Sequence, residues 1–234
     1  MNHSTTIISK LQSAGTPEKA AHLMRFFKTG KGQYGEGDLF LGVTVPLSRS
    51  IAKAHINSSL DELQPLLNNP YHEVRLCALV IMTLKHKKAS EEERTKLFDF
   101  YLKNTQHINN WDLVDLSCPI IVGDYLLKKD RNILYTLADS KNLWEQRIAI
   151  ISTMTFIRHD DYDDTQKIAL KLINHPHDLI HKAIGWMLRE IGKRSRETLT
   201  SFLTCYATQL PRTALRYAIE HYPEPERKNW LLQK

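Results

Sequence analysis

Trp111 and Asp115 stand four residues apart in the stretch His107-Ile-Asn-Asn-Trp-Asp-Leu-Val-Asp115. In a helix that spacing stacks both side chains on one face. Asn109 or Asn110 is a good N-cap for such a helix, which puts the pair within its first two turns. An indole beside a carboxylate suits a site where positive charge develops. The ring attracts a cation through its quadrupole and the acid does so by Coulomb attraction. A Trp-x-x-x-Asp taken alone is more often a core tryptophan and a solvated acid, so the rest of the chain has to decide.

Other residues could serve the same chemistry. Lys182, Trp186, Arg189 and Lys193 follow the spacing i, i+4, i+7, i+11 and form one helical stripe carrying cations and an indole. That pattern fits phosphate and base contact. Gly185 beside Trp186 leaves room for the close approach of a backbone. Arg147, in Trp144-Glu-Gln-Arg-Ile-Ala-Ile-Ile, is either a phosphate grip or a structural cap on a neighbouring element. Basic runs at 85–88, 128–131 and 193–196 read singly as solvated turns and together as rails for a phosphate backbone.

Several other chemistries are excluded. Gly30-x-Gly32-x-x-Gly35 matches a dinucleotide fingerprint by letter only, with no strand before it and no βαβ unit around it. His177 and His181 could share a metal, but no third ligand stands at usable spacing. No nucleophile elbow or Cys–His signature appears. No metal and no cofactor are expected.

The elements that must position these residues are helical almost throughout. Helices are expected over 5–14, 17–27, 46–54, 60–67 with a kink at Pro65, 71–84, 91–102, from 111 to an interruption near Pro119, and over 131–138, 143–158, 164–174, 178–191, 195–208 and 212–221. A short piece follows Pro223 and Pro225. Thr16 reads as a cap before Pro17. Ser59-x-x-Glu62 and Ser90-x-x-Glu93 read as capping boxes. Gly30, Gly32, Gly35, Gly37 and Gly42 mark 28–43 as an inserted loop or short irregular hairpin.

An internal repeat decides the architecture. Arg75, Arg147, Lys182 and Arg216 each precede an apolar helical run, at successive offsets of 72, 35 and 34 residues. The first offset is about two units, with the missing slot near Trp111. A helix-pair unit of roughly 35–45 residues is the signature of an α-solenoid. No unit carries the tetratricopeptide pattern, so the expected fold is all-α, a single HEAT-like helical-repeat domain over 1–234 with a concave basic groove. Equivalent positions line up in such a stack, which would gather Trp111, Asp115, Arg147, Lys182 and Trp186.

Composition agrees with a globular protein. The 234 residues are 42% hydrophobic and 25% charged, and 32 Lys and Arg against 26 Asp and Glu leave a net charge of +6. The excess permits a polyanion partner without proving one. Cys77, Cys118 and Cys205 are odd in number and far apart, as reduced thiols are. No signal pattern opens the chain, and no apolar run approaches the ~20 residues of a membrane span. A cytoplasmic monomer away from membranes is the expectation.

With these residues in place the chain resembles a known family, the bacterial DNA alkylation repair glycosylases built from HEAT-like repeats, the AlkD family. The matching segments are Asn110-Trp-Asp-Leu-Val-Asp115, Asn142-Leu-Trp-Glu-Gln-Arg147-Ile-Ala-Ile and Lys182-Ala-Ile-Gly-Trp186-Met-Leu-Arg-Glu190. The resemblance implies that Trp111, Trp186 and Asp115 surround the deoxyribose of a damaged nucleotide and that Arg147 contacts the DNA backbone. Lys182, Arg189 and Lys193 would join it there, with Phe26 at a position often tyrosine in the family. It further implies double-stranded DNA carrying alkylated bases as partner, and excision of cationic N3- and N7-alkylated purines without base flipping.

The residues suit that chemistry on their own account. Alkylation makes the purine a cationic leaving group, so no general acid is needed. What remains is to stabilise an oxocarbenium-like sugar and present water. The glycine-rich stretch is longer than the connection in well-known members, and some relatives with an inserted hairpin prefer branched DNA and lack glycosylase activity. A non-catalytic binder of branched or damaged DNA is therefore the alternative, and a protein-scaffolding solenoid the third reading.

Overall fold

Apolar residues at helical spacing, punctuated by serine, asparagine and proline, fold into helices and, among residues 3–233 described by the computed structural model, into no strand. The fold is all-α, as expected. Its packing divides the chain into two compact units, Met1–Ile121 and Val122–Lys234.

The first unit holds α1 (His3–Ala14), α2 (Pro17–Phe26), α3 (Val45–Ala54), α4 (Leu60–Leu67), α5 (His72–His86), α6 (Glu91–Lys103) and α7 (Trp111–Cys118). Helix α5 is its centre and packs against α1, α3, α4, α6 and α7. Every residue from His72 to Thr83 is buried, so the helix is enclosed on all faces. That burial brings His72, Glu73 and Arg75 out of water, and each must find a polar partner. Both predicted capping boxes form, Ser59 with Glu62 and Ser90 with Glu93. Thr16 stands at the N-cap of α2 but makes no side-chain cap bond, leaving Pro17 to open the helix. Helix α4 runs through Pro65 to Leu67.

The glycine-rich stretch is an ordered loop rather than a hairpin. Glu73 is the reason: its carboxylate accepts hydrogen bonds from the backbone N–H groups of Leu41 (2.9 Å), Gly42 (2.8 Å) and Val43 (3.2 Å). An isolated bridge joins Leu39 to Tyr71. Gly42 has φ +81°, and a Cβ there would lie 2.2 Å from the carbonyl oxygen of Thr16, so only glycine lets the loop close on α2.

Pro119 cannot donate the backbone bond that α7 needs to continue, and the chain passes through a π-turn at Pro119–Gly123, as such interruptions often do. The second unit follows with α8 (Asp124–Leu126), α9 (Asn132–Ala138), α10 (Leu143–Ser152), α11 (Met154–Arg158), α12 (Asp163–Lys171), α13 (Asp178–Arg194), α14 (Arg196–Tyr206), α15 (Arg212–Ala218) and α16 (Glu224–Leu232). The helix expected over 143–158 is broken at Thr153, whose hydroxyl donates back to the Ile150 carbonyl at 2.7 Å, a bond that competes with helix continuation. Helices α10, α13 and α15 pack in succession and carry the repeat cations Arg147, Lys182 and Arg216. In the first unit α7 packs on α5, filling the slot the repeat left open near Trp111. Such side-by-side pairs are what α-helical repeats are made of.

Cys77 and Cys118 are buried, Cys205 is exposed, and none is in a disulfide. Among the described residues no helix is long and apolar enough to cross a membrane. Nor, among them, does any group of three His, Cys, Asp or Glu side chains have the arrangement a metal ion needs.

Candidate functional site

The first turn of α7 presents Trp111. Asn110 is fully buried and caps the helix, its Oδ1 accepting from the Trp111 N–H at 2.9 Å. Trp111 and Asp115 are both half-buried, one turn apart, as the spacing requires. Behind the indole lies a series of rings. Phe27 stacks on Trp111 with centroids 5.4 Å apart and planes 27° from parallel. Phe40 stacks on Phe27 at 5.1 Å, and His72 on Phe40 at 4.7 Å. Phe26, at the end of α2, meets Trp111 edge-on at 6.0 Å and is 56% exposed. Each such ring pair is worth about 0.5–1.5 kcal/mol beyond its buried area, so the indole is braced from within while its surroundings stay open to solvent.

A buried ion network sits beside the rings. Asp38, from the glycine-rich loop, accepts from Arg75 Nη2 at 2.7 Å and from Asn109 Nδ2 at 3.0 Å through Oδ1, while its Oδ2 lies 3.5 Å from His72 Nδ1. His72 Nε2 faces Asp112 Oδ2 at 2.8 Å. Arg75 also donates to the Asn69 carbonyl at 2.9 Å. Burial raises the Asp38 carboxyl, but the His72 contact, the Arg75 charge and the Asn109 bond outweigh it and hold the group below the usual range. Burial likewise opposes charge on His72, yet Asp112 and Asp38 hold the imidazole above its ordinary value.

Beneath α7, Tyr101 is fully buried and its hydroxyl lies 2.9 Å from Ser117 Oγ. Because Ser117 donates to the Leu113 carbonyl at 2.5 Å, the tyrosine is the donor to Ser117. Burial, then the neighbouring Cys118 and Asp115, keep its phenol protonated well above the usual range.

The second unit carries the remaining predicted residues. Arg147 is 5% exposed, and its Nη1 donates to the Leu179 carbonyl in the first turn of α13 at 2.6 Å. At least one of its donors therefore serves as a structural cap on α13. On α13 the cationic stripe is interleaved with acids. Lys182 pairs with Asp178 and Lys193 with Glu190, each at 2.7 Å, and Arg189 pairs with Glu220. Half-buried Trp186 donates from Nε1 to Glu190 at 3.2 Å. The two lysines are exposed enough for their pairs to hold little energy and exchange readily for other anions, whereas the Arg189 and Glu190 side chains are mostly covered. The backbone that approaches Gly185 is that of α15, since a Cβ there would stand 2.4 Å from the Ala214 carbonyl oxygen. His177 Nδ1 accepts from the Leu179 N–H at 3.1 Å, and His181 Nε2 lies 2.5 Å from the His175 carbonyl, so both rings are engaged at the start of α13.

Sequence reasoning missed Asp38, His72 and Asp112, and with them Phe27 and Phe40. Asp112 was adjacent to the chosen indole, and His72 lies one turn before a repeat cation. Asp38 gave no signal beyond being an acid in a loop. The acids of the α13 stripe were legible in the sequence, but the count of cations passed over them.

The fold and this site define an α-helical repeat protein with a braced, part-exposed indole and a carboxylate one turn along. The chain belongs to the DNA alkylation repair enzyme family, whose model matches residues 7–222. Its fold is similar to that of the solved "Predicted DNA alkylation repair enzyme from Enterococcus faecalis", with a TM-score of 0.70 at 18% identity over 90% of this chain and 97% of that one. No curated protein sequence matches the chain significantly.

Proposed function

We propose that the protein is a DNA glycosylase that excises cationic N3- or N7-alkylated purines, of the 3-methyladenine and 7-methylguanine type, from duplex DNA without flipping the base. The observation that carries the reading is Trp111, part-exposed on a stack of rings, with Asp115 one turn along the same helix, inside the span that matches the repair family. The bond from the sugar C1′ to the base nitrogen breaks, and its electron pair leaves with the base and cancels the alkyl cation. Positive charge moves to the sugar, where the Asp115 carboxylate and the indole face of Trp111 stabilise it. Water adds at C1′ and releases a proton, leaving a neutral alkylated base and an abasic sugar. On the second unit the reading assigns Trp186 to deoxyribose and Arg147, Lys182, Arg189 and Lys193 to phosphates. Phe26, more exposed than Trp111 and in contact with it, meets the DNA beside the lesion.

Incubation with methylated duplex tests this directly. Free 7-methylguanine appearing faster than it does spontaneously supports the reading. Salt-dependent binding with preference for junctions and no base release selects a non-catalytic binder instead. Binding that ignores ionic strength points to a protein scaffold, because phosphate contacts impose a steep salt slope.

A further inference from the structure

Two residues flanking Trp111, Asn109 and Asp112, are anchored to one network, and a third caps its helix. Asn109 donates to Asp38, Asn110 caps the helix, and Asp112 is held by His72. The two ring nitrogens of His72 face carboxylates on opposite elements, Asp38 at 3.5 Å from the loop and Asp112 at 2.8 Å from α7. A neutral imidazole has one N–H and can serve only one of them, while an imidazolium donates to Asp112 and stands as an ion pair to Asp38. Its ring face stacks on Phe40 and leans on Phe27, the ring that in turn backs Trp111. His72 is 2% exposed, so water does not supply the missing partner.

We propose that His72, doubly protonated between Asp38 and Asp112, is a positioning residue for Trp111. It clamps the first turn of α7 to the glycine-rich loop and so fixes the indole. The loop is then part of the site's framework, its Asp38 being one jaw of the clamp. The effect on base release rests on the glycosylase reading above; the clamp itself does not.

The clamp has a defined pH response. The charged groups facing His72 are Asp38 from the loop, Asp112 from α7 and Arg75 from its own helix, while Glu73 beside it is engaged with the Leu41, Gly42 and Val43 amides. Arg75 repels the imidazolium and the two acids outweigh it. An imidazole held above its unfolded value near 6.5 contributes fully below that pH and loses its contribution as pH rises through the folded value. The clamp therefore opens on the alkaline side. Opening leaves a neutral ring whose one N–H can serve a single acid and whose charge no longer draws the loop and α7 together, and the Trp111 turn loosens.

The test uses the full-length protein in two arms. In the first, the His72 ring nitrogens and the Trp111 indole N–H are followed by NMR across pH without DNA, the indole signal being assigned with Trp111→Phe. His72 is expected to titrate above pH 6.5 and the indole signal to move in the same transition. A ring that is mostly neutral at pH 6.5, or one that titrates with no response at Trp111, overturns the proposal. In the second arm, single-turnover base release is measured against pH for the wild type and Asp112→Asn, which keeps the shape but removes one jaw's charge. The alkaline limb of the profile is expected to move down by about one pH unit, and the plateau rate to fall about tenfold or more from misplacement of the indole. Affinity for undamaged duplex should stay the same. An unmoved limb contradicts the clamp. Wild-type protein that releases no base at any pH contradicts the glycosylase reading alone, because the first arm needs no DNA.

Discussion

Trp111 and Trp186, both part-exposed, are built into opposite kinds of surroundings. Trp111 rests on stacked rings and beside buried, hydrogen-bonded charges contributed by a loop, α5 and α7. Trp186 rests on a helix whose neighbouring charges reach the surface in part and are paired with acids one turn away or just past α15. The first arrangement costs desolvation and returns a fixed geometry. The second is cheap, soft and open to exchange. A site that must hold one aromatic face against a reacting centre needs the first, and a surface that must trade its counter-ions for phosphates needs the second.

Breaking the buried network should have the larger consequence. Arg75→Leu strands Asp38 beside His72 in a buried setting, and a loss of about 3–5 kcal/mol is expected, measured by urea unfolding. A loss below about 1 kcal/mol would mean the network does not brace the first unit. Gly185→Ala should cost about 1–3 kcal/mol, because the new methyl group meets the α15 backbone in a packed core, and a thermal melt reads it. An unchanged melting temperature would show that α13 and α15 are free to separate.

The exposed stripe is sharpened by smaller changes. Glu190→Gln removes the acid shared by Lys193 and Trp186. Duplex binding should tighten a few-fold and its salt slope should steepen, by fluorescence anisotropy across a salt series. Weaker binding would place Glu190 on the DNA-binding side of the account rather than against it. Lys193→Ala should leave stability within about 0.5 kcal/mol while lowering the salt slope by about 0.9, the value for one phosphate contact. No change in slope would remove Lys193 from the interface.

These differences also mark what could be read in advance. Helix positions, both capping boxes and the spacing of Trp111 and Asp115 are local properties of short stretches, and they were legible. So was the recurrence of a cation before an apolar run, at offsets of 72, 35 and 34 residues, which needs no coordinates. The fixing of the glycine-rich loop by Glu73 was not legible, nor was the meeting of Asp38 with His72 and Arg75, because partners more than 30 residues apart share no periodicity. The break at Thr153 arose from a side-chain bond that competes with the helix, which apolar spacing does not register. The pairing of Trp111 with Asp115 on one helix face followed from the chain, but the rings and buried charges packed around the indole followed only from tertiary contacts.

On the proposed function, Asp115 and the braced Trp111 stabilise positive charge on a sugar. This is tested most directly by single-turnover release of 7-methylguanine from methylated duplex, with wild type and Asp115→Asn side by side. The account predicts that the variant binds duplex as the wild type does and releases base about 100-fold more slowly or worse, the usual loss when a transition-state charge partner is removed. Equal release by the two proteins would contradict it.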